Sequence, residues 1–320
     1  MTVILLLFGL VMLYYGAEFL VKGSSHLAFK LGVTPLLIGL TIVACGTSMP
    51  EFIVSLEAAA TGKGDIAAGN VIGSNICNIA LILGLAALIA PLKVKNQLIK
   101  FDTPVMIFAT LLCCSFLMNG TIGRFEAATM FALFIAYTLI NIRMARIQNI
   151  KGKDVADEAE IDFKNEKSLL ARSVPLQIVL IIAGLLILVG GSECLIRGAV
   201  ELARWLGASE AVIGLTIVAI GTSLPELATS VVAAIKKEAD IAIGNIVGSC
   251  IFNILGILGF AGMIVPITAP GINNMDLFTV AVLALLLLPF MWTKKNISRT
   301  EGAVFLSIYV LYIVTLTVRG

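Results

Sequence analysis

Residues 32–55 read GVTPLLIGLTIVACGTSMPEFIVS, and residues 207–230 read GASEAVIGLTIVAIGTSLPELATS. A second pair follows at the same interval: DIAAGNVIGSNICNIALILG from Asp65 and DIAIGNIVGSCIFNILGILG from Asp240. Glu51 and Glu226, Ser74 and Ser249, and Asn78 and Asn253 all stand 175 positions apart, so the offset is constant and free of gaps. Each first segment is an apolar run with a glutamate near its middle. An ionisable side chain there costs at least ~3 kcal/mol on insertion scales and marks an ion pathway.

The rest of the chain has the composition that such runs require. Of its 320 residues 59% are hydrophobic and 13% charged, against roughly 25% charged in an average soluble domain. Mean hydropathy is +1.04. So few charges cannot cover a soluble surface, which excludes a soluble enzyme, a secreted module and a disordered protein. A net charge of +2 says little about partners, and no basic patch with interleaved aromatics points to nucleic acid. The six cysteines lie in or at the edges of apolar runs without zinc-like spacing, and read as small buried hydrophobes. The first apolar run lacks the basic n-region and cleavage site of a signal peptide, so it is expected to be a retained span.

About 20 residues are needed to cross the hydrocarbon. Ten such runs are predicted, near 2–21, 34–61, 66–90, 103–119, 125–147, 174–196, 209–235, 241–265, 275–292 and 301–318. The predicted fold is an all-α polytopic membrane protein of ten transmembrane helices, with the second and seventh broken. Residues 1–147 form one five-helix repeat, 148–172 a polar cytoplasmic linker, and 173–320 the second repeat. An odd number of spans per copy makes the repeats inverted, and inverted repeats place a transport site at their interface near the midplane. With both termini outside, 17 of the 22 Lys and Arg fall in inside loops, as the positive-inside rule demands. The expected location is the cell membrane.

Thr47, Ser48 and Glu51 share a helix face at i, i+4 and i+3 spacing, as do Thr222, Ser223 and Glu226; Ser74 and Asn78 pair likewise, as do Ser249 and Asn253. Pro50 and Pro225 cannot donate to the carbonyl four residues earlier, which is expected to free carbonyls near Ala44–Thr47 and Ala219–Thr222. Hydroxyl, amide, carboxylate and carbonyl oxygens suit hard cations such as Ca²⁺ and Na⁺. The one histidine, His26, falls in a predicted loop, which argues against zinc or copper. Ser48-x-x-Glu51 and Ser223-x-x-Glu226 also fit capping boxes. Gly69, Gly73, Gly244 and Gly248 read as packing faces, Asn70 and Asn245 as helix–helix hydrogen-bonders, and Asp65 and Asp240 as N-terminal caps. Glu18–Lys22 and Glu193–Arg197 read as ion pairs at span ends. Glu57 is left outside the site because its counterpart is Val232.

GTSMPE with GNVIGSNICN, and GTSLPE with GNIVGSCIFN, resemble the paired alpha-repeats of the sodium/calcium exchanger family, in its prokaryotic form without a large regulatory loop. The resemblance covers nearly the whole chain. It implies that Glu51 and Glu226 are shared by Ca²⁺ and Na⁺. Thr47, Ser48 and Ser74, with Thr222, Ser223 and Ser249, would add oxygens, joined by the carbonyls of Ala44 and Ala219. Asn78 and Asn253 would border the central position. Asn253 stands where potassium-dependent relatives carry Asp, which argues against K⁺ co-transport. The resemblance also implies an electrogenic Na⁺/Ca²⁺ antiporter, not an enzyme, whose first and sixth spans slide over a fixed eight-helix core. Beyond the transported ions and the lipid bilayer, no cofactor, nucleic acid or obligate protein partner is expected. The alternative is a Ca²⁺ (or other divalent)/H⁺ antiporter, although the GNA-x-E motif of that branch is missing. An intramembrane hydrolase would want a paired-aspartate, Ser/His or HExxH arrangement, and a passive channel would not want a dense charged midplane site.

Overall fold

A computed structural model describes residues 2–151, 173–206 and 219–319. Long runs of Leu, Ile, Val and Ala become helices because hydrocarbon leaves each backbone N–H and C=O to be satisfied within its own segment. In chain order they are α1 (Thr2–Leu31), α2 (Pro35–Thr47), α3 (Met49–Ala60), α4 (Gly64–Ile89), α5 (Leu98–Leu117), α6 (Arg124–Lys151), α7 (Val174–Trp205), α8 (Ala219–Gly221), α9 (Leu224–Ile235), α10 (Ala239–Ile264), α11 (Asn274–Trp292) and α12 (Arg299–Arg319). Among the described residues eight helices are long and apolar enough to cross a membrane, and a ninth span is α2 with α3, bent by 49° at Ser48. The chain is an all-helical polytopic membrane protein. Residues 207–218, most of the first half of the seventh expected span, lie outside the described residues, as does 152–172 of the expected linker; α6 itself runs on through Lys151.

Two helices are longer than their apolar cores suggested. The first expected span stops at residue 21, yet α1 continues to Leu31, where Gly32 turns the chain at φ +66°. Lys22 and Lys30 sit within it, since long basic side chains carry their charge to the interface without ending a helix. His26 is therefore on a helix and buried, not in a loop, with Nδ1 2.7 Å from Lys22 O. In the same way α7 extends past residue 196 to Trp205.

α10 and α4 are the central helices, with 94% and 72% of their apolar windows buried against 28% for α1 and α7. The peripheral pair is held antiparallel by glycine. A Cβ at Gly9 would lie 2.8 Å from Leu195 N, one at Gly16 2.9 Å from Leu188 N, and one at Gly184 2.7 Å from Leu20 N. The residues come every seventh position on both helices, at 9, 16 and 23 and at 184, 191 and 198.

Two short antiparallel ladders close the ends of the bundle. In one, β1 (Leu92–Lys93) pairs with β4 (Asn296–Ile297) in the register Leu92↔Ile297. In the other, β2 (Thr121–Ile122) pairs with β3 (Ile267–Thr268) in the register Ile122↔Ile267. Adding 175 to residue 92 gives 267, and taking it from 297 gives 122, so each ladder maps onto the other when the halves are exchanged. Asp65 and Asp240 stand within the first turns of α4 and α10 but cap neither by side chain. Asp65 Oδ1 instead accepts from Gly271 N at 2.7 Å, and Asp240 forms an ion pair with Lys95. Both still place negative charge at a helix N-terminus, where the macrodipole favours it.

Candidate functional site

The break in the second span falls on Ser48, at φ −83°, ψ 11°, and Pro50 is the second residue of α3. Ser223, at φ −88°, ψ 7°, and Pro225 repeat this ahead of α9. Proline suits the first turn of a helix because its absent N–H has no intrahelical partner there. Each restarted helix carries its glutamate in its first turn, Glu51 and Glu226, and both are fully buried.

The two halves then cross. Ser48 Oγ donates to Glu226 Oε1 at 2.7 Å, and Ser223 Oγ donates to Glu51 Oε1 at 3.1 Å. Neither serine caps its own helix by side chain, which corrects the capping-box expectation. Ser48 Oγ also lies 3.0 Å from Ser249 Oγ. The carbonyl of Ala44 is not free as expected: Ser48 N and Ser249 Oγ donate to it at 3.1 and 3.4 Å, and Thr47 Oγ1 lies 3.3 Å away. Ala219 opens the short helix α8.

Thr47 Oγ1 donates to Asn245 Oδ1 at 3.0 Å, and Asn245 Nδ2 in turn donates to Ser230 Oγ at 3.0 Å. Asn70 Nδ2 makes the equivalent bond to Ser55 Oγ at 2.9 Å and another to Glu51 O at 3.2 Å. Asn70 and Asn245 thus do tie helices together. Gly244 and Gly248 do pack closely, with Cβ positions 3.0 Å from Leu36 O and 2.7 Å from Leu40 O, whereas Gly69 and Gly73 meet nothing nearer than 3.7 Å among the described residues. Ser74, Asn78, Ser249 and Asn253 are all buried on the two central helices. Just past each serine the helix widens into a π-helical stretch, Cys77–Ile82 and Phe252–Leu258, which contains the asparagine. Such wide turns concentrate at functional sites.

Sequence reasoning missed Asn75. It is fully buried, donates from Nδ2 to Cys250 O at 3.1 Å, and accepts from Asn253 Nδ2 at 3.2 Å. Its counterpart in the repeat is Cys250, so comparison of the halves hid it; its place directly after Ser74 was the available signal. Ser55, Ser230 and Thr229 were also passed over and are buried. Glu57, set aside earlier, is exposed. Arg197 Nε pairs with Glu193 Oε1 at 2.6 Å, and Glu18 Oε1 accepts from Lys236 Nζ at 2.7 Å across the structure.

Glu51 Oε2, Glu226 Oε2, Thr222 Oγ1, Asn253 Oδ1 and both amide atoms of Asn78 are buried with no hydrogen-bond partner among the described residues. Buried polar atoms are normally paired. Two carboxylates in a low dielectric with no basic side chain bonded to them among the described residues call for an external cation. The free atoms are nearly all oxygens, which favours a hard ion, and no group of three or more His, Cys, Asp or Glu occurs among the described residues.

Comparison with known proteins points the same way. The family profile described as "Sodium/calcium exchanger protein" matches residues 1–143 and 176–318. The chain belongs to the sodium/calcium exchanger family. Among its relatives in this family is "Sodium/calcium exchanger MaX1" of Methanosarcina acetivorans, 34% identical over 98% of this chain and 97% of that one. "Inner membrane protein YrbG" of Escherichia coli is 38% identical over 82% of this chain and 79% of its own. The solved structure of the sodium-calcium exchanger NCX_Mj, soaked with 2.5 mM Na⁺ and 0.1 mM Ca²⁺, superposes with a TM-score of 0.82 at 32% identity, covering 98% of both chains. This exchanger is accordingly a multi-pass membrane antiporter of the cation/Ca²⁺ class.

Proposed function

We propose that the chain exchanges Na⁺ for Ca²⁺ by alternating access, and that the exchange is electrogenic. The observation that carries this reading is the crossed arrangement of Glu51 and Glu226, each fixed through one oxygen by a serine of the other half and each with its second oxygen free. One Ca²⁺ balances two ionised carboxylates. Several Na⁺ would compete for the same oxygens: Thr47, Ser48 and Ser74 in one half, Thr222, Ser223 and Ser249 in the other, with the carbonyls of Ala44 and Ala219. Asn78 and Asn253 border the central position. Since both glutamates belong to one site built by both halves, neither ion can be held without the other's ligands, which is the physical basis of obligate exchange. An empty site with two bare carboxylates is costly to carry through a low dielectric, so uncoupled return is suppressed.

In this reading the spans are two inverted five-helix repeats, 1–147 and 173–320, joined by a cytoplasmic linker over 148–172, with both termini outside. The glycine seam supports α1 and α7 moving as one body over the remaining helices, because a Cβ-free interface packs backbone against backbone.

The test is ⁴⁵Ca²⁺ uptake into proteoliposomes under imposed gradients of Na⁺, K⁺ or pH. An outward Na⁺ gradient should drive uptake, and an imposed membrane potential should change its rate. Uptake driven by a pH gradient alone would replace this reading with divalent cation/H⁺ exchange.

A further inference from the structure

Three non-glycine residues among those described adopt a left-handed backbone, and all three are lysines: Lys237 (φ +63°), Lys294 (φ +58°) and Lys295 (φ +50°). Lys237 ends α9 where its N–H bonds to Ala234 O and the next N–H to Ala233 O, a turn that favours glycine. The equivalent turns of the other half do use glycine. Gly62 (φ +74°) is the counterpart of Lys237, and Gly120 (φ +74°) that of Lys295. Two turns that need a left-handed residue thus keep glycine at one end of the bundle and carry lysine at the other. A strained backbone retained at two related turns indicates that the side chain itself is wanted there.

The lysines converge. Lys237 lines a cleft of about 350 Å³ with Lys93 and Lys95. Lys93 is the ladder partner of Asn296, and Val94 N donates to Lys295 O at 2.9 Å, which brings the 294–295 turn alongside. The cleft's carboxylates are already engaged, Glu238 by Ser25 Oγ at 2.9 Å and Asp240 by Lys95. Lys93, Lys237, Lys294 and Lys295 have no ion pair among the described residues. Directly before this turn, Leu288, Pro289, Trp292 and Thr293 line a shallow apolar groove of about 390 Å³. Trp292 is 68% exposed, as a tryptophan at headgroup depth is.

We propose that these lysines and the adjoining groove bind an anionic phospholipid, with its phosphate among Lys93, Lys237, Lys294 and Lys295 and an acyl chain along Leu288–Trp292. An amphiphile fits because the 293–295 turn runs from Thr293 of the groove to Lys295, whose carbonyl is bonded by Val94 of the cleft; a free phosphate would use only the cleft. Basic clusters at a membrane face bind anionic headgroups in this way.

The experiment is retention of lipid by the full-length protein in nanodiscs of equimolar phosphatidylglycerol and phosphatidylcholine, then extracted in mild detergent and counted by mass spectrometry. The wild type should keep phosphatidylglycerol preferentially. Lys237→Gly and Lys295→Gly restore the residue that the twin turns use, so the fold should melt no earlier, while each should weaken retention about fivefold. Lys237→Arg and Lys295→Arg should keep it. Should the glycine variants melt earlier, Lys237→Gln and Lys295→Gln replace them in the same comparison. Equal retention by wild type and charge-free variants, or no preference in the wild type, overturns the proposal. Displacement of the lipid by inorganic phosphate at equal potency also overturns it, in favour of a free-anion site.

Discussion

Ser48 and Ser223 each have a local and a remote partner within chemical reach, and both choose the remote one. A serine three residues before a glutamate ordinarily caps its own helix, yet these hydroxyls donate to the glutamate of the opposite half. Ser48→Ala should therefore lower Ca²⁺ affinity, because it frees Glu226 Oε1 to reorient, with little effect on the melting of α3; isothermal titration and thermal unfolding separate the two. Glu51→Gln and Glu226→Gln should each reduce Na⁺-driven ⁴⁵Ca²⁺ uptake at least about a hundredfold, as removal of one member of a buried charge set does. Near-normal exchange in a folded single variant would defeat the ligand assignment. Asn253→Asp should keep exchange but make it more pH-sensitive between pH 6 and 9, since three acids crowded together cannot all stay ionised without a cation. It also exchanges the donor that now holds Asn75 Oδ1 for an acceptor. Wild-type uptake that stalls without K⁺, or a mutant with an unaltered pH profile, would show Asn253 to be misplaced relative to the ions. The candidate residues were legible in the sequence because serine, threonine, asparagine and glutamate stand out in apolar runs. The crossing was not, because a spacing motif names the nearest partner, and only the packing of both halves brings up the other. Asn75 was illegible for a different reason: the repeat pairs it with a cysteine.

Among the elements, α1 and α7 depend on the missing Cβ at every seventh residue of both helices. Gly191→Ala would place a methyl 3.0 Å from Leu13 N and 3.1 Å from Gly9 O, where backbone cannot yield, while Gly190→Ala would meet only the flexible Met12 Cε at 3.0 Å. Overpacking of this kind costs about 1–3 kcal/mol, so Gly191→Ala should lower the unfolding midpoint and Gly190→Ala should leave it nearly unchanged. Equal midpoints would mean that the seam has slack. Span positions were readable from hydropathy, but helix ends were not. The charges of Lys22 and Arg197 look like the end of an apolar run, whereas helices α1 and α7 end at Leu31 and Trp205. Asp65 and Asp240 failed as predicted caps because a loop amide and a lysine from other segments offered better partners, a tertiary fact that no local pattern contains.

Across the whole molecule, one end is tied together by contacts from α1 to the turn after α9: Lys236 to Glu18, and Ser25 to Glu238. Burial pushes the Glu238 carboxyl above the usual range, and Asp240 adds to the rise, against the Ser25 hydroxyl, His26 and Lys95, which lower it. A raised pKa contributes stability that is complete below the ordinary carboxylate value and is lost as pH climbs through the folded one. Glu238→Gln should accordingly flatten the pH dependence of thermal unfolding across the acid range, gaining on the wild type toward neutrality; parallel profiles would remove Glu238 from the account. The terminal ladders have a consequence of another kind. Among the described residues neither half closes a ladder with its own strands, and the two ladders interchange when the halves are swapped. That is the bonding a pair of identical, unfused chains would make about a two-fold axis, so the covalent connection is not what registers one half against the other. Fragments cut within 152–172 and expressed as separate polypeptides should find each other, co-purify and regain transport by complementation, as a gene duplicated from an ancestral homodimer would allow.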